Sequence, residues 1–198
     1  MTQPSLIVPA ASLATRRALL TGTGRLTLSA TAVALLAGCD SMAADASPKT
    51  GSTADDIAVL NTALGLEYQA IAAYQVGAES GLLQKPVLDV AVQFQGDHKQ
   101  HADVLAKTVT KLGGTPVMAK QPADYKFPVD QLKNQADVLR FAAGLEKGAA
   151  SAYLGAIPVF NNKDLAKAAG SILGDETMHW AILLNALGQN PVPAAFIA

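Results

Sequence analysis

Three histidines occur in the 198-residue chain, and two of them, His98 and His101, sit three residues apart in QGDHKQHADV. The third, His179, follows Glu176 at the same spacing in DETMH. Side chains three apart on a helix share one face, so each pair presents two donors in one direction. Together with Glu67 and Glu146 they form a set of three carboxylates and three imidazoles, ligand types that hold iron, manganese, zinc or copper. Taken singly, an i, i+3 histidine pair is as often a surface accident as a ligand pair, and a core glutamate can be a protonated, hydrogen-bonded group. The placement of all six on the elements that carry them decides between these readings.

From Asp55 onward, apolar residues recur at helical spacing in four blocks. The first runs from about Asp55 to Ser80, with Ser52 or Thr53 as cap and Gly81 as stop. The second begins at Pro86 and ends at Gly113 and Gly114, and the third covers roughly Asn134 to Ile157, ahead of Pro158. The fourth runs from about Lys163 to Leu187, capped by Asn161 or Asn162 and followed by Gly188 and Pro191. Blocks two and three are separated by TPVMAKQPADYKFPVDQLK, where Pro116, Pro122 and Pro128 forbid a long helix. Short, long, short connections predict an all-α fold, an antiparallel four-helix bundle with one long crossover between helices 2 and 3. No strand-rich stretch argues for a sheet.

Read at alternating spacings of three and four, the inward stripes are Leu60, Leu64, Glu67, Ile71 and Tyr74; Val87, Ala91, Phe94, His98, His101, Leu105, Thr108 and Leu112; Leu139, Ala142, Glu146, Ala149 and Tyr153; and Leu165, Ala169, Ile172, Glu176, His179, Leu183 and Leu187. Each stripe is apolar except near its middle. In antiparallel helices of similar length the mid-stripe positions meet in one layer, which brings six ionisable groups together. An unpaired buried charge costs several kcal/mol, against about 5 to 15 kcal/mol for a whole domain. The stripes hold no Lys or Arg, so the layer must be neutralised by proton sharing, by imidazolium partners or by metal ions. Two divalent cations bring +4 against −3 from the glutamates and leave room for a bridging hydroxide or oxide.

The sequence also repeats. LEYQAIAAY (Leu66 to Tyr74) and LEKGAASAY (Leu145 to Tyr153) share one frame, and DHKQH (Asp97 to His101) matches DETMH (Asp175 to His179). The chain reads as two copies of a helical hairpin, an arrangement suited to a metal site with twofold pseudosymmetry.

With these residues in place, the stretch from about Asp55 to Leu187 resembles a ferritin-like domain, and DIAVLNTALGLEY resembles the opening helix of secreted bacterial ferritin-like domain proteins. The resemblance implies a centre of two metal ions, iron first, with manganese, zinc or copper as alternatives, in which Glu67, His101, Glu146, Glu176 and His179 match the ligands. His98 stands where the family pattern has Glu. Its stripe position keeps it among the expected ligands, but four carboxylates and two histidines become three and three. Fewer bridging oxygens weigh against oxygen or peroxide chemistry, and more imidazole suits zinc or copper. Asp97 and Asp175 lie about 100° further round their helices and are expected at the surface or against the ligands from outside. Tyr74 and Tyr153 lie two turns from their glutamates, placed for core packing or for a hydrogen bond to a ligand carboxylate. Trp180 is expected to pack only.

Residues 1–38 carry Arg16, Arg17 and Arg25, no acid, and then the apolar run LTLSATAVALLAG. Thirteen residues are too few for a bilayer span, which needs about 20, so the order of charge and apolarity predicts an export signal peptide. TRRALL resembles a twin-arginine signal, and LAGC resembles a lipoprotein cleavage box that would make Cys39 a lipidated first residue, with ADA at Ala44 to Ala46 as the alternative cleavage site. As the chain's single cysteine, Cys39 can form no disulfide within it. Residues 39–54 are small, polar and aperiodic, the composition of a flexible tether, and residues 55–198 form the bundle. Removing the signal takes the formal charge from −1 to about −4, which gives nucleic acid no electrostatic footprint. The expected location is the periplasmic face of a bacterial membrane through the lipid, or the periplasm or exterior if Cys39 is unmodified.

Three functions fit this sequence. One is a non-haem di-metal oxidoreductase, of ferroxidase or peroxidase type, that oxidises its metal with oxygen or peroxide. Another is a module that sequesters metal without turnover. The third is a degenerate structural or stress-related bundle with protonated core glutamates. A homo-oligomer is compatible with all three, whereas a closed storage cage would have to accommodate a lipid on every N-terminus.

Overall fold

In the computed structural model, residues 52–197 are described. They form four long helices: α1 (Thr53–Glu79), α2 (Lys85–Lys111), α3 (Gln135–Ala156) and α4 (Lys163–Ala186). The expected signal peptide, Cys39 and the tether as far as residue 51 lie outside the described residues. Thr53 and Ala54, assigned to the tether by composition, open α1 because Ser52 caps it. The Ser52 side chain accepts from the Asp55 N–H, while the Asp55 carboxylate accepts from the Ser52 N–H at 2.8 Å, a reciprocal box that satisfies orphan donors. Asn134 and Asn162 cap α3 and α4 in the same sense. Gly113 and Gly188, both at positive φ, end α2 and α4 as residues without a Cβ do most easily.

The crossover between α2 and α3 holds two single turns of 3₁₀-helix, Pro122–Tyr125 and Val129–Gln131. Asn61 of α1 fastens its start, donating to the Thr115 carbonyl at 3.0 Å and accepting from the Val117 N–H at 2.9 Å. Tyr125 stacks on Phe127, which meets Phe141 of α3 edge-on, so the loop is held by its aromatics.

Helix α1 packs along α2 and α3 along α4. The hairpins face each other antiparallel, since Tyr74 meets Glu146 while Glu67 meets Tyr153. Two apolar clusters result, one around Leu60, Leu64, Leu105 and Val109, the other around Phe94, Leu139 and Leu183. The polar layer lies between them. The inward face of α2 beyond His101 runs through Ala102, Leu105 and Val109 rather than Thr108, and that of α3 through Ala143 and Ala150 rather than Ala142 and Ala149. A face more than about 100° wide lets neighbouring positions exchange places at its edge. Asp56, 4% exposed and not anticipated, accepts from the Asn161 and Asn162 N–H groups at 2.8 and 3.2 Å and ties α1 to the start of α4. No described helix is long and apolar enough to cross a membrane.

Candidate metal centre

All six expected residues converge. Glu67 comes from α1, His98 and His101 from α2, Glu146 from α3, and Glu176 and His179 from α4. Five are no more than 2% exposed, and His101 alone reaches solvent, with 16% of its side chain accessible. Their donor atoms fall into two overlapping sets, Glu67, His98, His101 and Glu176 on one side and His98, Glu146, Glu176 and His179 on the other, each within 4.8 Å.

The first set has His98 Nδ1 at 2.8 Å and His101 Nδ1 at 3.5 Å from Glu67 Oε2, with Glu176 Oε1 at 3.6 and 3.2 Å from the same two nitrogens. In the second, His98 Nε2 and His179 Nδ1 lie 3.3 and 3.6 Å from Glu146 Oε1, and Glu176 Oε2 lies 3.8 Å from His179 Nδ1. Ligands about 2.1 Å from one metal stand about 3.0 to 3.4 Å apart, so these spacings are close to the edges of a coordination polyhedron. Five buried atoms in the layer have no hydrogen-bond partner: His101 Nδ1, His179 Nδ1, Glu146 Oε2 and both Glu176 oxygens. His101 Nδ1 and Glu176 Oε1 are near each other, but not in bonding geometry. At about 1 to 3 kcal/mol each, five orphans would cost of the order of a domain's entire stability. The donor set therefore fits two cations.

The surroundings aim these donors. Tyr74 donates to Glu146 Oε1 across the bundle and Tyr153 donates to Glu67 Oε1, so each tyrosine of one hairpin holds the glutamate of the other. Both tyrosines are buried in the core and also make a hydrogen bond to a carboxylate, so the two readings of the sequence apply together. Asp175 Oδ2 lies 3.4 Å from His101 Nε2, and Asp97 Oδ2 lies 3.4 Å from His179 Nε2. A carboxylate on the outer nitrogen keeps a histidine's inner nitrogen turned toward a metal. Phe94 stacks on the His179 ring at 3.9 Å and covers it. The sequence placed Phe94 on the stripe one turn before His98 but gave no sign of this stacking. Trp180 packs against the second apolar cluster, and Lys147 lies 5.9 Å from its ring centre.

Charge in the layer is shared between rings and carboxylates. Burial pushes the His98 imidazole down, but Glu146 and Glu67 on its two nitrogens outweigh burial and raise it to about 10. His101 and His179 follow the same pattern, each reaching about 9 as Glu176 and Glu67, or Glu146 and Glu176, overcome desolvation. Burial alone would raise Glu67 and Glu146; the histidines hold both below the usual carboxylate range. Glu176 is raised, because burial prevails over His101 and His179. Burial, with a glutamate beside each hydroxyl, pushes Tyr74 and Tyr153 well up, so both remain protonated donors. Of the three ways to neutralise the layer, imidazolium partners thus serve the metal-free protein, and cations must displace those protons.

The ferritin-like domain model matches residues 55–189, about two thirds of the chain and all four helices. The chain belongs to the ferritin-like domain family. This ferritin-like domain is similar to the crystal structure of a conserved hypothetical protein from Mycobacterium tuberculosis, with a TM-score of 0.62 and 25% identity over 73% of this chain and 99% of the other. It shares its fold with a ferritin-like, diiron-carboxylate protein from Bacillus anthracis, at a TM-score of 0.56 and 24% identity over 68% of this chain and 96% of the other. It also shares it with the bacterioferritin-related protein of Bacteroides fragilis, described as a dodecameric thioferritin, at a TM-score of 0.57 and 23% identity over 69% and 86%. No curated protein sequence matches it.

Proposed function

We propose that this protein is an extracytoplasmic di-metal protein that binds iron and oxidises it with oxygen or peroxide. The five unpartnered buried donors in one layer carry the reading, because two cations would satisfy them together. The diiron-carboxylate description of the Bacillus anthracis neighbour supports iron. Bound ions would supply Lewis acidity and electron exchange with the oxidant.

The chain's own residues divide the remaining work. Glu67 would hold an ion through Oε2, the oxygen that Tyr153 leaves free, whereas Glu146 would hold one through Oε1, which faces His98 and His179 and is also the oxygen that Tyr74 fixes. Asp175 and Asp97 retain protons on the outer nitrogens of His101 and His179, so the inner nitrogens stay available as donors. Phe94 excludes water from His179, whereas His101 borders an open depression lined by Ser171, Gly174, Asp175 and Met178, where a small oxidant would approach.

The charge order of residues 1–38 supports export, and Cys39 in LAGC supports a lipid anchor on the periplasmic face. Self-association is proposed as well, on the dodecamer formed by the Bacteroides fragilis neighbour. His98 in place of a fourth carboxylate favours a second reading, metal sequestration without turnover. Adding ferrous iron and then peroxide to the natively exported protein separates the two: oxidation consumes peroxide and produces ferric absorbance, and sequestration retains iron with neither. Failure of the Glu67→Ala/His179→Ala double variant to lose iron would contradict both.

A further inference from the structure

We infer that His98 is itself a bridge, joining the two ions through its two ring nitrogens as an imidazolate, opposite Glu176, which joins them through its two carboxylate oxygens. The inference rests on the di-metal reading above and assigns this chain's departure from the family pattern a role in the centre. In the repeat, DHKQH and DETMH align His98 with Glu176, so the two residues are pseudo-twofold equivalents. They are also the two members common to both donor sets.

The atoms divide accordingly. His98 gives Nδ1 to the set of Glu67 and His101, at 2.8 Å from Glu67 Oε2, and Nε2 to the set of Glu146 and His179, at 3.3 Å from Glu146 Oε1. Glu176 gives Oε1 to the first set, at 3.2 Å from His101 Nδ1, and Oε2 to the second, at 3.8 Å from His179 Nδ1. Neither nitrogen of His98 has an outside acceptor: both face glutamates of the layer, unlike those of His101 and His179, whose Nε2 atoms face Asp175 and Asp97. A histidine that binds one metal ordinarily gives its other N–H to a carboxylate or carbonyl outside the site. His98 has no such partner, and its ring is fully buried. Forming the bridge replaces each ring N–H with an N–metal bond, and the two protons of the charged ring leave to solvent. Imidazole donors suit zinc and copper as well as iron, so the bridge widens the range of ions that the centre accepts.

Copper(II) gives a test independent of turnover, because two cupric ions joined through imidazolate couple and lose most of their paramagnetic signal. The full chain is loaded with cupric ion, copper per chain is measured by elemental analysis, and the electron paramagnetic resonance intensity is integrated. Two coppers with a strongly suppressed signal are expected. Suppression should persist in Glu176→Gln, where His98 alone carries the coupling, and disappear in the His98→Gln/Glu176→Gln double variant, restoring the intensity of two isolated ions. Wild-type protein holding two coppers at full intensity would overturn the bridge, as would a Glu176→Gln variant that holds two coppers at full intensity. Full intensity in the wild-type protein would decide against the bridge even if the variants fail to fold. Wild-type protein that retains no cupric, ferrous, manganous or zinc ion would instead defeat the di-metal reading.

Discussion

The two hairpins place equivalent residues around one centre but enclose them differently. In the α3–α4 half, His179 is 2% exposed beneath the Phe94 ring; in the α1–α2 half, His101 lies beside Ile172, the repeat's counterpart of Phe94, and opens to the depression near Met178. Glu176 on one side answers His98 on the other. Repetition supplies a symmetric set of donors, and two departures from it give the layer a closed side, an open side and a third imidazole in place of a fourth carboxylate. A duplicated motif thus acquires direction without a change of fold.

If the halves are energetically equivalent, Glu67→Leu and Glu146→Leu should destabilise the metal-free protein alike. Each strands charged rings and a tyrosine hydroxyl in the core, at about 3 to 5 kcal/mol by chemical denaturation in chelator. A large inequality would show that one hairpin carries the layer. His98→Glu restores the symmetry: it should weaken the metal-free protein, which loses an internal cation and gains a carboxylate, and it should make stability more dependent on added metal.

The pH response sharpens this contrast. The three imidazoles are raised from 6.5 to about 9 or 10, so their contribution is fully present below pH 6.5 and is lost as pH rises through 9 to 10. Metal-free protein should therefore melt lower at pH 10 than at pH 6.5. The stabilisation conferred by metal should grow over the same range, because fewer protons remain to be displaced. A metal-free melting temperature that rises toward pH 10 would contradict the charge assignment.

Tyr74→Phe and Tyr153→Phe each remove one hydrogen bond to a charged glutamate and should cost about 1.5 to 3 kcal/mol, equally in the two halves. The smallest effect is expected from Phe94→Leu, which removes the ring stack on His179 for about 0.5 to 1.5 kcal/mol. Its clearer sign is chemical: modification of His179 by a histidine-acylating reagent should accelerate toward the rate at His101.

Much of this was legible in the sequence because helices impose a fixed period. Ser52 or Thr53, Asn134, Asn161 or Asn162, Gly113 and Gly188 mark the helix ends to within a residue or two, and the mid-stripe positions of Glu67, His98, His101, Glu146, Glu176 and His179 place them in one layer. Contacts that depend on rotation about the helix axis were not legible. Whether Asp97 and Asp175 reach across to His179 and His101, or Tyr74 and Tyr153 exchange glutamates between hairpins, is set by interhelical register, which periodicity within one helix does not specify. Asp56 was missed for a related reason: its partners, the N–H groups of Asn161 and Asn162, lie more than 100 residues away.

The central claim is that six side chains meeting inside the bundle, five of them buried, hold two cations. Elemental analysis of the natively exported protein, purified without added metal or chelator, tests it most directly. The account predicts about two metal ions per chain, lost when Glu67 and His179 are both replaced by alanine. A metal-free protein that binds none when metal is supplied, and whose melting temperature ignores both metal and chelator, would contradict it.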